Sequence, residues 1–181
     1  MTLAVPIEDF NIHSLGLVQR ILVTTDGTLT DTLASIFLEP IELVKLEVSI
    51  AQSPQRIEAL DLEGGSNLMH RQIVLRGKTS LSPYVYAEVQ IATDRLPPRL
   101  RDDLLEGRVP LGALWIMHRL EIFKERPRVR QRLAGALARH LRLREDDTLI
   151  ERTYRTFTNG RPVFVVSEYF PLEYAAKAQG A

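Results

Sequence analysis

The stretch ERTYRTFTNGRPVFVVSEYFP, residues 151–171, holds two strand-like runs separated by Asn159-Gly160. Asn-Gly between such runs is the strongest short-range signal for a tight hairpin turn. The spacing predicts a hairpin that pairs residues 148–158 with residues 163–170. Side chains on a strand alternate faces with a period of two. Phe164, Val166, Glu168 and Phe170 therefore share one face, and Val163, Val165, Ser167 and Tyr169 share the other. The more apolar face is the one that carries Glu168. A carboxylate there must be paired, protonated or aimed at a ligand, because an isolated buried charge is very costly.

Outward from this hairpin the pattern stays consistent. Residues 41–50 alternate as a strand through Leu46, Val48 and Ile50, and 70–75 and 84–92 form two more strands joined at Arg76-Gly77-Lys78. Ser14 is positioned to cap a short helix running to the Asp26-Gly27 turn. Thr28 to Asp31 resembles a capping box and opens a second helix that Pro40 stops. Residues 97–107 have Pro at the start and Gly at the end, the usual helix asymmetry. Residues 111–117 read as another helix and 120–123 as a strand. Leu133, Leu137 and Leu141 form a stripe that predicts a helix over 129–143. The polar connection 51–68 has the length of a segment that covers a site. Hairpin-linked strands with clustered helices predict an α+β fold with a mostly antiparallel sheet. No repeat or boundary divides the chain, so residues 1–181 are expected to form one domain.

Composition bounds the function. Lys and Arg number 23, and so do Asp and Glu; hydrophobic content is 45%, and there is no cysteine. Disulfides and thiolate metal sites are excluded, and the balance suits a soluble protein of the reducing cytoplasm. No run is long enough for a membrane span, and MTLAVPIEDF lacks the basic and apolar regions of a signal peptide. Lys124 to Arg144 carries eight basic residues against Glu125 alone. With neutral net charge and no interleaved aromatics, it is expected to be a solvated face rather than a nucleic-acid surface. His13, His70, His118 and His140 lack metal-ligand spacing, so no metal is expected.

Two local motifs mislead. DGTLT resembles the first motif of haloacid-dehalogenase phosphatases, but the position required for the nucleophilic Asp holds Thr24. GKT at 77–79 lacks the earlier Gly of a phosphate-binding loop, since Gln72 stands there, and it falls in a hairpin turn.

The same alternation places Arg71 on a face with Ile73 and Leu75. One buried-facing Arg and one buried-facing Glu have two readings. They form a core ion pair, or both line a pocket in which Arg71 forks a substrate carboxylate.

Five segments in order, TDGTLT with EPI, HRQIVLRG, DRLP, PLG and ERTYRTFTNGRPVFVVSEYFP, resemble the chorismate pyruvate-lyase family, nearest its actinobacterial 4-hydroxybenzoate synthases. The resemblance spans roughly residues 22–171. It implies a six-stranded antiparallel sheet with a site beneath flap-like helical segments. It also implies conversion of chorismate, the small-molecule partner, to 4-hydroxybenzoate and pyruvate without metal or organic cofactor. By the same resemblance Arg71 and the Leu111 N–H bind the ring carboxylate, Leu29 lies over the ring, and Glu168 contacts the oxygen that becomes the 4-hydroxyl. A carboxyl among Phe164, Val166 and Phe170 would suit an acid. Enterobacterial members carry an Arg where this chain has Glu88, which shares a face with Tyr84, Tyr86 and Gln90 and is expected to point away from the pocket. The rival expectation is a non-catalytic effector-binding module of the kind found in bacterial transcription regulators. Such modules normally follow a helix-turn-helix domain, for which the residues before Leu22 leave little room.

Overall fold

The computed structural model describes residues 11–174. The MTLAVPIEDF segment lies outside them. The chain runs α1 (Leu17–Thr24), α2 (Leu29–Phe37), β1 (Ile41–Gln52), β2 (Asn67–Gly77), β3 (Pro83–Ala92), α3 (Pro98–Glu106), α4 (Leu111–Met117), β4 (Phe123–Lys124), β5 (Arg128–Leu133), α5 (Ala138–Leu141), β6 (Thr148–Thr158) and β7 (Arg161–Pro171). All strand pairs are antiparallel in the order β1-β2-β3-β7-β6-β4, and β5 shares the outer edge of β6 with β4.

The expected α+β class with an antiparallel sheet is the observed one, with seven strands instead of six. The extra strand corrects the expected helix over 129–143. Arg128–Leu133 pairs with Thr153–Thr148 as β5, and Gly135, at φ +51°, breaks the chain before the short α5. The misleading stripe joined Leu133, now an exposed strand end, to Leu137 and Leu141 beyond the break. RVRQRL itself alternates with period two, and that pattern is the one the backbone follows. The basic stretch is partly neutralised, since Arg130 donates to both Glu151 oxygens at 2.8 and 2.7 Å, while its one acid, Glu125, is taken up by Arg155.

Smaller differences have local causes. Gly16, not Ser14, is the N-cap of α1. Thr28 caps α2 by position, but its hydroxyl bonds the Asp31 carboxylate instead of a backbone N–H. The connection between β1 and β2 does not line the cavity described below, and its Leu60 and Leu62 pack on Leu68 and Ala92 in a small separate cluster.

The sheet buries both faces. On one, α5 and the residues before it cover Val74, Tyr86, Leu149 and Tyr169. On the other, two clusters lie side by side. The first holds Leu22, Leu33, Ile73, Leu75, Ala87 and Phe170 beneath α1 and α2. The second holds Leu100, Leu104, Leu114, Val89, Phe164 and Val166 beneath α3 and α4. A cavity opens at the seam between these clusters.

Candidate active site

The cavity volume open to water-sized groups is about 70 Å³. Its floor is the sheet: Ile73 and Leu75 of β2, Ala87 and Val89 of β3, and Val166 of β7. Its cover comes from Asp26 to Thr30, between and into the first two helices, and from Pro110, Leu111, Gly112 and Trp115 at α4. The two covers meet closely, since a Cβ on Gly112 would lie 3.1 Å from Thr28 Cγ2. Arg71, Leu111, Leu29 and Glu168, the four residues singled out from sequence, all line this one cavity. Glu88 does not. It is half-buried on the far face and accepts from the Tyr169 hydroxyl at 2.7 Å.

Arg71 and Glu168 are not paired with each other. Glu168 pairs with Arg152, whose Nε and Nη2 each lie 2.6 Å from Oε2, while the Tyr154 hydroxyl donates to Oε1 at 3.2 Å. A slip in the ladder creates this pair. The Asn159-Gly160 turn sets Thr158 opposite Arg161, a register that would bring Glu151 opposite Glu168. A bulge between Thr156 and Phe157 shifts the pairing by one and brings Arg152 there instead. Arg152 is 1% exposed and also donates through Nη1 to the carbonyls of Leu22 and Thr25. It ties the end of α1, and hence the cover, to the sheet. Glu168 therefore enters the cavity as an ion-paired acceptor and not as a carboxyl among apolar groups alone.

Arg71 is also 1% exposed, yet its one hydrogen bond runs from Nη2 to the Val109 carbonyl at 2.6 Å. Its Nε has no partner among the described residues, and neither does the buried Nε1 of Trp115 on α4. Burial pulls the Arg71 pKa down to about 10. A buried guanidinium without a carboxylate is costly unless an anion completes it. The Leu111 N–H lies in the first turn of α4, where donors have no intrahelical acceptor.

The sequence reading missed Lys124, Arg152, Tyr154 and Trp115 as lining residues. Arg152 and Tyr154 share a face by alternation in ERTYRTF, a signal present but not used. Lys124 lies on a strand of two residues, too short for any period. Among the described residues no three His, Cys, Asp or Glu side chains converge as a metal site, and no helix is long and apolar enough to cross a membrane.

A family model described as chorismate pyruvate-lyase, Rv2949c-like, matches residues 23–178. The chain belongs to this family. A relative from Mycobacterium tuberculosis (strain CDC 1551 / Oshkosh), named chorismate pyruvate-lyase, is 32% identical over 168 residues, 91% of this chain and 84% of the relative. One of the same name from Mycobacterium leprae (strain TN) is 30% identical over 152 residues, 83% and 72% of the two chains. Among solved structures, the effector domain of PhnF from Mycobacterium smegmatis has a TM-score of 0.63 at 12% identity, covering 80% of this chain and 88% of that one. The C-terminal domain of the histidine utilization repressor from Pseudomonas syringae pv. tomato str. DC3000 has a TM-score of 0.61 at 15% identity, covering 78% and 99%. At such identities these structures share the fold alone with the family.

Proposed function

We propose that the protein is a chorismate pyruvate-lyase that converts chorismate to 4-hydroxybenzoate and pyruvate in this cavity, with the chain acting as one cofactor-free domain. The observation that carries the reading is the charge of the cavity. Arg152 and Glu168 neutralise each other, which leaves Arg71 with no carboxylate among the described residues and Lys124 with only the exposed Asp26, at 3.8 Å. One cation without a carboxylate and one answered only from the exposed cover, above an apolar floor, suit a dianionic ring, and chorismate is one.

Arg71 holds the ring carboxylate, with its free Nε and the Leu111 N–H completing the cradle. Leu29 closes over the ring. Glu168, fixed by Arg152 and Tyr154, accepts a hydrogen bond from the 4-hydroxyl. The C3–O bond to enolpyruvate breaks as C4 loses hydrogen, and aromatisation makes the step downhill. The protein's task is then to hold the ring in its reactive geometry. Hydrogen transfer from C4 to the departing enolpyruvyl methylene balances the reaction without a protein base.

The test mixes the purified protein with chorismate without added metal and separates products by chromatography. Equimolar 4-hydroxybenzoate and pyruvate, formed well above the spontaneous rate, is the expected result. Unchanged chorismate, with 4-hydroxybenzoate still raising the melting temperature, would instead support the effector-binding alternative.

A further inference from the structure

We propose that Lys124 is a substrate-binding residue of this cavity, taking the second carboxylate of a dianion whose first carboxylate is taken by Arg71. The proposal rests on the chorismate reading and extends it by assigning the enolpyruvyl carboxylate.

The strand register supplies the geometry. Arg71 lies opposite Val89, Val89 opposite Val166, and Val166 opposite Tyr154, in one row across four strands. Three strand spacings separate the ends of this row by roughly 14 Å between backbones. The Lys124 ammonium sits over the far end, 4.3 Å from the Tyr154 ring centroid. Two long cationic side chains thus reach inward from opposite ends of a floor made by Val89 and Val166. Such a placement of two cations suits a single ring with carboxylates on two arms.

The hydrogen-bond inventory selects Lys124 over Arg152. The Arg152 donors go to Glu168, Leu22 and Thr25. Lys124 has three donors, and among the described residues only the Thr25 carbonyl lies within hydrogen-bond reach, at 3.2 Å. Its nearest carboxylate is Asp26 Oδ1 at 3.8 Å, on a side chain 88% exposed, whereas the Lys124 side chain is 15% exposed. A structural lysine of the core would have its charge answered from within. Here the answering group sits in solvent on the cover. Burial, with Arg152 adjacent, draws the Lys124 pKa below its usual value, although Glu168 and Asp26 act the other way. An anion at Nζ relieves that tension.

The test exploits the different charges of substrate and product. In Lys124→Gln, the KM for chorismate should rise about 10- to 100-fold, the loss expected for a charged hydrogen bond. The Kd for 4-hydroxybenzoate, which lacks the second carboxylate, should stay within about twofold of wild type, a shift well below a lost charged contact. Lys124→Arg should recover part of the chorismate affinity. Equal loss for both ligands would make Lys124 a latch for the cover and overturn the proposal, as would an unchanged chorismate KM. A second measurement needs only the wild-type protein. 3-(Carboxymethoxy)benzoate should bind at least about tenfold more tightly than 3-methoxybenzoate, and equal affinities would overturn the assignment. This pair remains informative if chorismate is not turned over, so failure of the lyase reading and failure of the Lys124 assignment are separable.

Discussion

Arg71→Met is expected to lower kcat/KM for chorismate by roughly two to three orders of magnitude while leaving the melting temperature equal to or above that of the wild type. The activity loss follows from truncating one partner of a buried, charged hydrogen-bonded pair, which costs about 2–5 kcal/mol. The stability result follows from the surroundings of Arg71 in the protein itself. Its charge is buried, and among the described residues its Nε is unpartnered and its single hydrogen bond goes to the Val109 carbonyl. Methionine fills much of the same volume without a charge to desolvate. A residue placed for packing would show the opposite pattern, losing stability first. Steady-state kinetics beside thermal denaturation checks both halves. A variant with normal kinetics would remove Arg71 from the site.

Glu168 is expected to behave in the reverse manner. Glu168→Ala leaves the Arg152 guanidinium buried without its carboxylate, a change that costs about 3–5 kcal/mol. For a chain of this length that lowers the melting temperature by roughly 6–20 °C. Glu168→Gln keeps the shape and one acceptor oxygen for Arg152 but removes the charge and turns an NH2 toward Tyr154, so it should recover only part of the stability lost in Glu168→Ala. Turnover should still fall by about 10- to 100-fold, because a neutral amide is a weaker partner for the 4-hydroxyl than a carboxylate. Comparing the two variants separates the structural from the chemical role. If Glu168→Gln is as active as wild type, Glu168 serves the fold alone.

Arg71 and Glu168 were legible in the sequence because each sits on a long strand where a period of two is unmistakable, and Asn159-Gly160 marks the turn between β6 and β7. Their relation to each other was not legible. A strict two-residue hairpin places Glu151 opposite Glu168, and only the bulge at Thr156 and Phe157 brings Arg152 there. A bulge of this kind adds one residue and leaves no mark in the hydrophobic pattern. The basic segment shows the converse failure. Leu133, Leu137 and Leu141 fit a helical stripe, but RVRQRL completes the exposed edge of β6, and tertiary pairing overrides a stripe drawn across Gly135. Lys124 escaped for a third reason: its place in the cavity is set by the partner strand and by Thr25 and Tyr154, residues far from it in the chain.

The central claim is that the cavity at the seam of the two core clusters, anchored by Arg71, is where the ligand binds. Trp115 lines it, is the chain's one tryptophan, and has a buried indole N–H without a partner among the described residues. The most direct measurement is the emission of Trp115 during titration of the wild-type protein with 4-hydroxybenzoate. A saturable change at one ligand per chain, absent in Arg71→Met, is the predicted result. Turnover of chorismate with Trp115 emission unmoved at saturating 4-hydroxybenzoate would place the site elsewhere on the molecule and contradict this account.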